Sequence, residues 1–257
     1  MGVSSLSVGD TLISNRYTQR EIGVPVRSRI IKTGTSLPLK KLCEYGGQTT
    51  ILGRVEIPYN IILNFVREKC LNNEDVRILD VGIAANIRDA KTRGVTTRDM
   101  AWRFIKKGYL TVSVHGLDAN LDFLEEMVYS EIDMPPQYPP FNLPNLTYIE
   151  ADATKTLGLS ERSVDVVFCG NAVVYIYEQG GMGAIDNFLG NVRSVLKDGG
   201  LFLSNIAFTE IADGDYRRFI KRDNTQCIVD DSYYLDLLEF ARKRNEARHL
   251  WDMYHLG

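Results

Sequence analysis

Val76-Arg77-Ile78-Leu79-Asp80-Val81-Gly82-Ile83-Ala84-Ala85-Asn86 is the stretch that decides the fold. A short apolar run ends in an acid and passes into a turn of small residues. Such a run marks a buried strand, and small residues let the chain turn sharply and let a ligand approach the backbone closely. Taken alone, the pattern also fits any strand-to-turn junction of an α/β protein. Two runs downstream repeat it. Leu110 to Leu117 ends at Asp118, and Leu146 to Ala151 ends at Asp152.

Working outward, helical and strand patterns alternate. Pro58 followed by Tyr59, Ile61, Ile62, Phe65 and Val66 predicts a helix over 58–70, with proline in its first turn. Thr96 or Thr97 is placed to cap a helix through Met100, Ala101, Phe104 and Ile105 that stops at Gly108. A third helix is expected from Asn120 to about Ser130, and the prolines between Pro135 and Pro144 mark a loop. Val164 to Asn171 reads as the fourth strand and 170–178 as a loop. Met182 to Leu196 reads as a helix, Asp198-Gly199-Gly200 as a tight turn and Leu201 to Ala207 as the fifth strand.

This alternation predicts an α/β protein with a doubly wound, mainly parallel sheet, in which the 77–82 strand is central. Residues 1–55 read as an N-terminal arm with short elements, its basic residues forming a solvated face. The Rossmann-like core is expected over 56–210, and 211–257 as a largely helical segment of the same domain, with a long helix at about 232–253. That tail lacks apolar runs of strand length.

Composition narrows the function. Hydrophobic content of 44% and charged content of 25% suit a water-soluble globular protein, and no apolar run approaches the ~20 residues of a membrane span. No secretory signal pattern opens the chain, and Leu6 stands where a myristoylation motif wants Ser or Thr. A cytoplasmic location is expected. Cys43, Cys70, Cys169 and Cys227 fit no zinc spacing, and with three histidines no histidine-built metal site is expected. A net charge of -3 argues against strong general nucleic-acid affinity.

In a doubly wound sheet, ligands bind beyond the carboxyl ends of the strands where the strand order reverses. An acid ending the second strand can accept hydrogen bonds from both hydroxyls of a ribose. An acid ending the third can reach an adenine amino group. Asp80 with Gly82, Asp118 and Asp152 fall at these places.

Over about 75–207 the chain resembles the class I S-adenosylmethionine-dependent methyltransferases. Ile78-Leu79-Asp80-Val81-Gly82 is similar to the family's first motif, with Ala84 and Asn86 at later positions where glycine is usual. Val114-His115-Gly116-Leu117-Asp118-Ala119-Asn120 resembles the second motif and Ile149-Glu150-Ala151-Asp152-Ala153 the third. Ser163-Val164-Asp165-Val166-Val167-Phe168 resembles the fourth, and Ser194-Val195-Leu196-Lys197-Asp198-Gly199-Gly200 the segment before the fifth strand.

The resemblance implies methyl transfer by direct in-line displacement, with S-adenosylmethionine as cofactor and S-adenosylhomocysteine as product. It implies cofactor contacts at Asp80, Gly82, Ala84, Asn86, Asp118, Ala119, Asp152, Ala153 and Asn171. Acceptor-side roles fall to Asn171, Tyr175 and Glu178, the last as a possible base. The plain alternative is that Tyr175 packs a helix start and Glu178 is solvated. Small molecule, protein and RNA acceptors all stay open.

Arg98, Trp102, Arg103, Lys106 and Lys107 could touch an acidic substrate, but they also fit an ordinary amphipathic helix. Two rival readings share this sheet. A nicotinamide-dependent oxidoreductase wants Gly-x-Gly-x-x-Gly, which Gly82-Ile83-Ala84-Ala85-Asn86-Ile87 does not supply. A catalytically silent methyltransferase-like domain that binds a partner is favoured by the substituted turn, and Asp118 with Asp152 speaks against it.

Overall fold

The computed structural model describes residues 28–38, 55–83, 90–129, 134–170, 172–204, 217–222 and 225–228. The strands are β1 (Arg29–Lys32), β2 (Val76–Val81), β3 (Val112–Asp118), β4 (Leu146–Glu150), β5 (Val164–Cys169), β6 (Leu196–Ser204), β7 (Arg217–Arg222) and β8 (Thr225–Ile228). The helices are α1 (Glu56–Leu71), α2 (Val95–Lys106), α3 (Asp122–Tyr129) and α4 (Ala172–Val195). Among the described residues, one sheet holds these eight strands in the order β1-β4-β3-β2-β5-β6-β7-β8. The first six run parallel, while β7 pairs antiparallel to β6 and β8 antiparallel to β7.

The 77–82 strand is central, as its apolar run requires. A parallel strand flanked on both sides and covered on both faces must be apolar almost throughout, and Val76, Ile78, Leu79 and Val81 are all buried. Alternate residues face two separate cores. Val76 and Ile78 join Tyr59, Ile62 and Val66 of α1, Met100 and Phe104 of α2 and Leu124 of α3. Leu79 and Val81 join Ile185, Phe188 and Val192 of α4 and Phe202 of β6. From β2 the chain moves to β3 and β4 on one side, then crosses to β5 and β6 on the other. The reversal of strand order therefore lies at β2, the place where doubly wound sheets bind their ligands.

Asp165 fastens this frame from below. Its carboxylate accepts hydrogen bonds from Lys69 (2.6 Å), Lys197 (2.8 Å) and the Arg77 N–H (2.9 Å), joining α1, β6 and β2 to β5. Burial alone would raise its pKa, but the two lysines and the N–H reverse that and hold it below the ordinary carboxylate value.

Several expectations are corrected. No threonine caps α2. Its N-cap is Gly94 in the left-handed region (φ 58°), and the Thr97 hydroxyl donates instead to Asp80. The segment 172–178 is helical rather than loop, because α4 begins at Ala172 and is broken only at Gly180 and Gly181. Lys197 to Gly200 belong to β6, whose pairing with β5 shifts register between Val164 and Val166. In the tail, which carries no strand-length apolar run, β7 and β8 extend the sheet as a hairpin. The helix expected at 232–253 lies outside the described residues. The arm also contributes β1, a four-residue strand with little apolar pattern that takes its place by pairing with β4.

His115 sits mid-strand on β3, and neither of its buried ring nitrogens finds a hydrogen-bond partner among the described residues. Burial, helped by the nearby Arg77 charge, pushes its pKa down to about 4. A histidine depressed on folding takes up its proton more readily in the unfolded chain. Its contribution is therefore complete above the unfolded pKa near 6.5 and is lost as pH falls toward 4. The wild type should lose up to about 3 kcal/mol of stability over that interval from this residue. His115→Gln should flatten the slope. Urea unfolding of both proteins at pH 7, 5.5 and 4.5 checks this, and equal slopes would remove His115 as the cause.

Candidate functional site

The predicted site residues are set by the ends of neighbouring parallel strands. Gly82 follows β2 with φ 79°, a conformation suited to glycine. Its N–H and that of Ile83 both donate to the Leu117 carbonyl, at 2.8 and 3.3 Å. This pins the turn to the end of β3. A Cβ on Gly82 would stand 2.2 Å from the Ala172 Cβ, so the start of α4 packs directly against the Gly82 turn. Asp80, buried on β2, accepts the Thr97 hydroxyl at 2.6 Å. That bond ties the acid to the first turn of α2.

Asp118 closes β3 and is 8% exposed, while Asp152, just past β4, is 4% exposed. The strands pair directly: Asp118 stands opposite Glu150, and its carbonyl accepts the Ala151 N–H at 2.9 Å. Two acid-bearing turns are thus held side by side. Asp118 accepts the Asn120 N–H at 3.4 Å, and the Glu150 carboxylate accepts the Leu121 N–H at 3.0 Å. Asp152 accepts both the N–H and the hydroxyl of Thr154, at 3.0 and 2.7 Å, and pairs with Lys155 at 3.4 Å. Ala119 is half-buried, and the Ala153 carbonyl accepts the Asn191 side chain of α4 at 2.9 Å.

Of the acceptor-side residues, Tyr175 is half-buried on α4. Glu178 lies on the same helix, with only its backbone described. Ala84, Asn86 and Asn171 lie outside the described residues. Asp80, Gly82, Asp118, Ala119, Asp152 and Ala153 all gather at the carboxyl edge of β2, β3 and β4.

Sequence reading missed several contributors. Thr97 passes for a helix cap, and Glu150 for one more strand residue. Thr33, Thr35 and Leu37 carry no local signal of any kind. Their hydrogen bonds reach residues more than 80 positions away.

Arg98, which an acidic substrate could have used, is instead completely buried. Its Nε donates to the Arg93 carbonyl at 3.0 Å, and its terminal nitrogens donate to the carbonyls of Lys91 and Pro139. Its guanidinium lies 3.9 Å from the centre of the Phe141 ring. Burial pulls its pKa down to about 10, so it remains a cation at neutral pH. Arg103, on the same helix, is spent on Asp99 and Glu56, at 3.1 Å each.

Among the described residues, no group of His, Cys, Asp and Glu is placed to hold a metal ion, and no helix is long and apolar enough to cross a membrane.

Residues 95–204 match a family model described as a methyltransferase domain. No curated protein matches the chain by sequence. Among solved structures, the aminoglycoside resistance methyltransferase NpmB1 is 19% identical, with 54% of this chain and 59% of that one covered and a TM-score of 0.36. The 16S rRNA methyltransferase KamB is 18% identical, with 62% and 60% covered and a TM-score of 0.34. The DszA carbon methyltransferase is 19% identical, with 58% and 34% covered and a TM-score of 0.41. The chain therefore spans from 34% to 60% of the length of these three proteins. The family match takes in β3 to β6 with Asp118 and Asp152, so this part of the chain, less than half of it, is similar to a methyltransferase domain.

Proposed function

We propose that this protein transfers the methyl group of S-adenosylmethionine by direct in-line displacement to an acceptor presented beside the start of α4. The observation that supports this most is the placement of two buried acids on neighbouring strand ends, Asp118 closing β3 and Asp152 just past the adjacent β4. The bound cofactor supplies an already activated methyl carbon on a sulfonium.

What is left to the protein is alignment and the exclusion of competing geometry. In this reading Asp118 accepts the ribose hydroxyls and Asp152 faces the adenine amino group. The Gly82 turn, held against the start of α4, lies beside the methionine end. Asp80 acts through the turn, since its carboxylate is held by Thr97. Tyr175 lines the acceptor side, with Asn171 and Glu178 beside it in sequence. A small molecule, a protein or an RNA would each satisfy this chemistry. Cys70 is a buried thiol outside any disulfide, which supports a reducing, cytoplasmic setting.

Calorimetric titration with S-adenosylhomocysteine tests the reading. The wild type should bind, and Asp118→Ala should bind about 10- to 150-fold more weakly, the scale of a lost charge-assisted hydrogen bond. Wild-type binding with no loss in the variant would remove Asp118 from the site. Absence of binding to the wild type would favour a domain that serves only as a protein partner.

A further inference from the structure

After β1 the chain does not leave the sheet. Residues 33–37 run across the carboxyl edge from the turn after β4 to the turn after β3. The Thr33 N–H donates to the Glu150 carbonyl at 3.1 Å, and the Thr33 hydroxyl donates to that same carbonyl at 3.0 Å. The Thr35 hydroxyl lies 2.8 Å from that of Thr33 and accepts the Asp152 N–H at 3.1 Å. Further on, the Leu37 N–H donates to the Ala119 carbonyl at 2.8 Å, and the Asn120 side chain donates back to the Leu37 carbonyl at 3.3 Å. Leu37 itself is buried.

Proton counting gives this chain one direction. Thr33 has a single hydroxyl proton, committed to the Glu150 carbonyl, so it must accept the proton of Thr35. Thr35 in turn has a lone pair left for the Asp152 N–H. A valine at 35 would keep the shape and lose both functions, leaving the Asp152 N–H without its acceptor.

We propose that residues 33–37 form a strap that sets the spacing of the two acid-bearing turns, with Thr35 as a positioning residue for the nucleoside half of the cofactor. This rests on the reading that Asp118 and Asp152 hold that half. Thr35 acts through Asp152, and Leu37 acts through Ala119 and Asn120. Among the described residues, the hydrogen bonds that the strap makes outside itself go to the ends of β3 and β4 and the turns after them, so its influence falls on the adenosine end.

The test uses the full chain and two probes, S-adenosylhomocysteine and 5′-methylthioadenosine, which keeps the nucleoside and lacks the amino acid. Affinities are measured well below the unfolding midpoint of each variant. Thr35→Val should weaken both ligands by the same factor, roughly 5- to 30-fold, as expected for one or two lost hydrogen bonds. Thr35→Ser, which retains the hydroxyl, should stay within about 3-fold of wild type. A role in stability alone would lower the midpoint and leave the affinities of the folded protein unchanged.

Equal affinities in wild type and Thr35→Val overturn the strap and leave the cofactor reading standing. A loss for S-adenosylhomocysteine without one for 5′-methylthioadenosine also overturns it. Failure of the wild type to bind either probe overturns both. If Thr35→Val does not fold, Thr35→Ala replaces it, with the same expected losses and the same overturning results.

Discussion

Arg98→Met should lower the stability of the protein by about 3–5 kcal/mol, the range for breaking a buried charged hydrogen-bond network. The side chain is completely buried, and its donors serve the carbonyls of Lys91, Arg93 and Pro139. Methionine fills much of the volume but donates nothing, so three carbonyls lose their partner and the contact with Phe141 loses its charge. The effect should also reach the site. Lys91 and Arg93 belong to the segment between the Gly82 turn and α2, and Pro139 to the proline loop. Arg98 holds the two together, and Arg93 continues the tie to the Phe123 carbonyl at 2.9 Å. Urea unfolding at pH 7 checks the number. A loss below about 1 kcal/mol would mean that water replaces the guanidinium at these carbonyls.

Gly82→Ala should be nearly as damaging, at about 2–4 kcal/mol, and on the proposed function should weaken S-adenosylhomocysteine binding at least tenfold. Two separate costs combine here. The backbone at φ 79° disfavours any Cβ, and the added Cβ would fall 2.2 Å from the Ala172 Cβ. Alanine has no side-chain rotation with which to yield, so either α4 or the turn must move. Both carry site residues. The double variant Gly82→Ala/Ala172→Gly separates the two costs. It should recover most of the steric loss and retain about 1 kcal/mol of backbone strain. A Gly82→Ala protein that folds and binds like wild type would show that the close approach does not shape the site.

The order of strands and the place of the acids are legible in the sequence for a definite reason. β2 to β6 form the interior of a parallel sheet, where both faces are buried and the apolar run is the whole signal. Asp80, Asp118 and Asp152 stand out because each interrupts or ends such a run. The stop at Gly108 is equally local, since its φ of 80° is a property of one residue.

β1 is not legible, and the reason is physical. Three of its four residues face solvent, so no periodic apolar pattern records it. It exists because β4 offers an open edge, and the pairing partner decides. The start of α4 misleads for a related reason. The 170–178 stretch reads as a loop by its chemistry, but helix formation from Ala172 onward is supported by Ala172 and Ile176 packing into the second core.

The sequence by itself determined which strands lie inside and which acids end them, because burial on two faces and a chain reversal are written in consecutive residues. Only the tertiary structure decided that Thr97 serves Asp80, that Arg98 is a fastener and not a substrate contact, and that Thr33, Thr35 and Leu37 reach the acid-bearing turns. Each of those bonds joins groups brought together by the sheet, and a hydroxyl or guanidinium has no sequence pattern that names a partner on another element.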